Sequence, residues 1–77
     1  MNINVIVNTI SQEVFHAEAS PVDFNRTFMI VLPHSFINSR MLSDFIKRLW
    51  NCSYQVVDWN LFKKEDDNLI IYFKIQQ

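Results

Sequence analysis

The side chains of this sequence that could do chemistry are few: His16, His34, Cys52, and an acidic run of Glu65, Asp66 and Asp67. A protein zinc site needs cysteines or histidines a few residues apart, as in C-x-x-C or H-x-x-x-H, so that neighbouring ligands close on one ion. His16 and His34 are 18 positions apart and Cys52 lies another 18 beyond, so the spacing offers no such pair. A reactive cysteine needs a lowered pKa, typically from a helix N-terminus or an adjacent cation. Cys52 instead follows the expected end of a helix, where the dipole disfavours a thiolate, and it reads as a buried or inert thiol. His16 has Glu13 and Glu18 as neighbours, but no spacing pairs it with a nucleophile in the manner of a catalytic triad. His34 follows Pro33 and reads as a turn residue. The acidic run could attract a divalent cation, yet it lacks the alternating ligand pattern of a calcium loop. The expectation is no catalytic residue, no cofactor and no metal, hence no enzyme.

A second exclusion comes from what is missing. The chain has 77 residues and no glycine, whereas average usage of about 7% would supply roughly five. Phosphate-binding loops, dinucleotide turns, G-x-x-G clamps and nucleophile elbows all need glycine for close backbone approach or a strained turn. None can be present. Eight asparagines are the natural substitutes, with Asn51 expected at a helix end and Asn68 at a loop exit in positive φ.

The elements that must position any functional group are those of one small domain, residues 1–77. The lone cysteine excludes an internal disulfide and suits a reducing, cytoplasmic setting. Asn4–Ile10 alternates apolar and polar residues and predicts a strand, and Glu13–Ala19 predicts a second. Ser20-Pro21 breaks that run, and Asp23-Phe24-Asn25 reads as a loop. Thr27–Leu32 is β-prone or apolar at every position, without a charge, and predicts a central strand ended by Pro33. A helix follows over about 36–51, capped by Ser35 or Asn38-Ser39. Met41, Leu42, Phe45, Ile46 and Leu49 gather on one arc, with Arg40, Ser43, Asp44, Lys47 and Asn51 opposite. Tyr54–Phe62 and Leu69–Ile75 flank the polar loop Lys63–Asn68 as a hairpin. Within the last strand, Leu69, Ile71, Phe73 and Ile75 share the core face. The order β-β-β-α-β-β implies an α+β fold: a small antiparallel sheet with one amphipathic helix packed on one face.

One helix covers one face of such a sheet. Ile70, Tyr72, Met29, Val31, and either Trp59 or Val56, then point to the other side as an apolar patch larger than a monomer usually leaves bare. Cover could come from the N-terminal segment, a second copy in a homodimer, or another protein.

These properties lead to an expected function: a non-enzymatic protein-binding module, an inhibitor or adaptor that occupies a surface of a larger complex. Phage and mobile-element inhibitors, anti-CRISPR and anti-restriction proteins among them, have a similar build in size and composition. The residues expected to touch the partner are Trp50, Trp59, Arg40, Lys47, Tyr54 and Tyr72, because tryptophan, tyrosine and arginine dominate interface hot spots. A competing reading is a nucleic-acid-binding accessory factor, with Arg26, Arg40, Lys47 and Arg48 on phosphates and Tyr54, Tyr72 or Phe73 stacking on bases. The formal charge of −1 weighs against it. Charge is uneven, with three acids and no base in residues 1–25 and seven bases against five acids in 26–77. A self-assembling structural subunit is the third alternative. The longest apolar run, Phe28–Leu32, is far below the ~20 residues of a membrane span, and no membrane association is expected.

Overall fold

The computed structural model describes residues 2–22, 26–33, 38–63 and 66–76. Its elements are α1 (Ile3–Phe15), β1 (Ala19–Pro21), β2 (Thr27–Pro33), α2 (Ser39–Asn51), β3 (Gln55–Lys63) and β4 (Asn68–Gln76). The fold is α+β, an antiparallel sheet in the order β1-β2-β4-β3 with α2 packed against it.

The N-terminal segment departs from the sequence reading. The strands expected over 4–10 and 13–19 are one helix, α1, and only Ala19 of the second belongs to a strand. The physical reason lies in spacing. Val7, Ile10 and Val14 recur at helical intervals and are buried beside Phe15, so a helix hides them together on the sheet, whereas a strand would split them between two faces. That burial outweighs the propensity penalty of β-branched residues, at most about 0.7 kcal/mol each. Asn2 caps the start, its side chain accepting from the Val5 N–H at 3.0 Å. At the other end His16 takes a left-handed conformation and its N–H donates to the Gln12 carbonyl. Ser20-Pro21 does not end a strand but belongs to β1, paired with Met29 and Phe28. Proline is tolerated there because β1 is an edge.

The other elements follow expectation more closely. Asn38 caps α2 by accepting from the Met41 N–H at 2.9 Å, and Phe45 and Leu49 are its buried residues. β2 pairs with β4 over seven residues, and β4 with β3. The expected loop at Asp23–Asn25, the turn at His34, the capping alternative Ser35 and residues 64–65 of the polar loop lie outside the described residues.

Both helices lie on the same face. One core joins Val7, Ile10, Val14 and Phe15 of α1, Phe45 and Leu49 of α2, Phe28, Ile30 and Leu32 of β2, and Ile71, Phe73 and Ile75 of β4. Phe45 is the junction: its ring centroid is 5.1 Å from that of Phe15 and 5.1 Å from that of Phe73. Arg48 ties the helices on the outside, reaching Glu13 at 2.9 Å and Asp44 at 3.2 Å.

The glycine-free chain still needs positive φ, and among the described residues it uses residues other than asparagine. His16, Arg26, Ser53 and Asp67 have φ of 56, 59, 68 and 65°. Asn51 is the last helical residue and Asn68 opens β4, so the expectation for both is corrected. The left-handed turn falls instead on Ser53, two residues after Asn51, and on Asp67, just before Asn68.

Candidate functional site

The helices leave one side of the sheet bare. Along β2 and β4 the core residues alternate with Met29, Val31, Ile70 and Tyr72, whose side chains point away from the helices. β3 adds Asn60 and Phe62 to that outer face, opposite Tyr72 and Ile70. Phe62 packs edge to face on Tyr72, with centroids 5.7 Å apart, a diagonal cross-strand contact. Ile70 sits at the middle of the patch and is buried by these neighbours, while Val31 and Phe62 are 38% and 53% exposed. Thr27, Lys74 and Asp58 form a polar row at one end, in register across the three strands. Among the described residues no element packs on this face, so α1 does not provide the cover considered for the N-terminal segment.

A β-bulge decides the placement of Trp59. The register slips between Val56 and Asp58, so that Val56 lies opposite Ile75 and Trp59 opposite Phe73. Val56 and Trp59 therefore share the helix-covered face, although three residues apart, and neither belongs to the outer patch. Trp59 borders a narrow apolar cleft under α2 with Leu42, Phe45 and Ile46, yet remains 41% exposed, on a strand at the edge of the sheet.

The expected contact residues thus divide between two surfaces. Lys47, Trp50 and Tyr54 come together in a groove of about 410 Å³ between α2 and the start of β3, with Ser43, Ile46 and Gln55. Trp50 is 62% exposed there, more than any other large apolar side chain described, while Tyr54 is 9% exposed and forms the groove's wall rather than a free platform. Arg40 is exposed on the same helix two turns earlier. Tyr72 lies on the outer sheet face, away from all of these. Phe62, on the same outer face, is not among the residues the sequence marks for contact. Its signal was its place opposite Ile70 in the hairpin, which counting back from the loop could have revealed.

The nucleic-acid reading loses a cation, because Arg48 is engaged by two carboxylates, and loses Phe73, which is buried. Cys52 is exposed rather than buried, since α2 ends before it and its side chain projects beyond the core. Among the described residues no three His, Cys, Asp or Glu side chains gather where they could hold a metal. No described helix is long and apolar enough to cross a membrane. No family model, curated protein or solved structure was found to match this chain, so its own geometry carries the functional argument.

Proposed function

We propose that this protein is a non-enzymatic binding module that docks on another protein through the outer face of its sheet, as an inhibitor or adaptor. The observation that carries this reading is the uncovered patch of Met29, Val31, Tyr72 and Phe62 bordered by Asp58, Asn60 and Lys74. An apolar centre with a polar rim is the anatomy of a protein interface, and Tyr72 and Phe62 present rigid ring surface at low entropic cost. Inhibition of a larger complex, of the anti-CRISPR or anti-restriction kind, is the form of this activity that the chain's size and composition support.

The test is affinity capture from the native host with the wild-type chain and with Phe62→Lys. A stoichiometric partner held by the wild type and lost with Phe62→Lys supports the reading. A partner that survives Phe62→Lys but is lost with Trp50→Ala would move the site to the α2 groove, and recovery of no partner would sink the proposal.

A further inference from the structure

The sheet has two edges, and only one is guarded. β1 is three residues long, contains Pro21, and its Ala19 N–H donates to the Asn8 side chain of α1 at 3.0 Å. Short length, proline and cover by a helix are the devices that stop an edge from pairing with another strand. β3 is nine residues long. Its protective features lie towards its ends, the bulge at Val57 and Asp58 near the start and Lys63 as the last residue. Beyond the bulge the run Asp58–Phe62 keeps unbroken register with β4, has no proline and no lysine, and bears exposed Trp59, Leu61 and Phe62.

We propose that this edge pairs with the same edge of a second copy, antiparallel and centred on Asn60, joining two sheets into one of eight strands with all four helices on one side. Symmetry narrows the choice. Residues directly opposite in an antiparallel pair point to the same face, so a two-fold axis through the pair must place one residue opposite itself. Centring on Leu61 would set Trp59 against the partner's Lys63. Centring on Trp59 would draw the bulged Val57 into the ladder. Centring on Asn60 leaves the bulge outside, sets Trp59 against the partner's Leu61 twice on the helix side, and sets Asn60 against the partner's Asn60, where two amides can hydrogen-bond. The only charged side chain in the run, Asp58, ends four residues from the partner's Asp58, about 14 Å at 3.4 Å per residue, which exceeds the Debye length at physiological salt. Within Asp58–Phe62 no like-charge contact opposes the pairing. The outer faces of both copies remain open on the same side, so this inference stands independently of the proposed docking function.

A single-strand interface falls at the small end of specific interfaces, so association should depend on concentration. Light scattering or sedimentation of the full chain between about 1 and 200 µM, a range that brackets weak interfaces, should show the mass rising from one copy to two. Leu61→Lys, at a side chain already 48% exposed, should remain monomeric with an unchanged circular dichroism spectrum. In a Cys52→Ser background, Asn60→Cys should oxidise to a covalent dimer, because the two opposed Cα atoms would be about 4.5–5.5 Å apart. Asp58→Cys should not. A monomer at every concentration overturns the proposal. So does a dimer that tolerates Leu61→Lys, or cross-linking through Asp58→Cys as readily as through Asn60→Cys.

Discussion

The Ser11 hydroxyl donates a 2.7 Å hydrogen bond to the Ala17 carbonyl from a site with no solvent exposure. This bond fastens the chain where it leaves α1 and turns towards β1, and Ser11 is the one buried polar side chain among the described residues. Ser11→Ala would leave the Ala17 carbonyl without this donor in a half-buried position. The expected cost is about 1–3 kcal/mol, read from urea unfolding midpoints. An unchanged midpoint would mean that the bond contributes nothing to stability.

Val5 is a β-branched residue in α1 and is 47% exposed. Replacing it with alanine should stabilise the protein by about 0.5 kcal/mol through helix propensity, with no loss of helical circular dichroism. Were the segment a strand, the same substitution would weaken it, so the sign of the change discriminates between the two structures.

Ser53 holds φ of 68° just after α2. A side-chain-bearing residue in this region costs roughly 1–2 kcal/mol, which glycine avoids, while glycine's freer unfolded chain returns up to about 1 kcal/mol. Ser53→Gly should therefore raise stability by up to about 1 kcal/mol, or some 4–8 °C in Tm for a domain of this size. Thermal melts check it, with a lowered Tm as the contrary result.

Phe45 and Trp50 lie five residues apart on α2 and should behave in opposite ways. Phe45 is 4% exposed and links Phe15 to Phe73, so Phe45→Ala should cost about 3–5 kcal/mol. Trp50 is largely exposed, and Trp50→Ala should fall within about 0.5 kcal/mol of wild type. Acrylamide should quench Trp50 more readily than Trp59, measured on the two single-tryptophan variants.

The centre of the sheet was legible because β2 and β4 each carry their own pattern. The alternation of Leu69, Ile71, Phe73 and Ile75 fixed the core face of β4 without tertiary information, and the arc from Met41 to Leu49 fixed α2. The N-terminal segment was ambiguous because Asn4–Ile10 alternates only in part, with Val5, Ile6 and Val7 in succession, and its β-branched residues favour the wrong choice. Only the reach of the pattern to Val14 and Phe15, read as one element, would have decided it. The face of Trp59 was beyond sequence reasoning for a different cause. A bulge inverts the parity of every residue on one side of it, and nothing in Val56-Val57-Asp58 announces that inversion. The expected contact residues inherit both effects: α2 sets the places of Trp50 and Lys47, while the sequence leaves the face of Phe62 open with the parity of β3.

The strand order also sets a timetable for synthesis. β4 is the last of the six elements to be made, yet it occupies the interior between β2 and β3. Until it leaves the ribosome, β2 has only the three-residue β1 to pair with, and the apolar stripes of α1 and α2 have half a sheet to pack on. At about 5–20 residues per second, the roughly 25 residues between the end of α2 and the end of β4 take about 1–5 s to add, so the central strand of the sheet arrives after every element that packs around it.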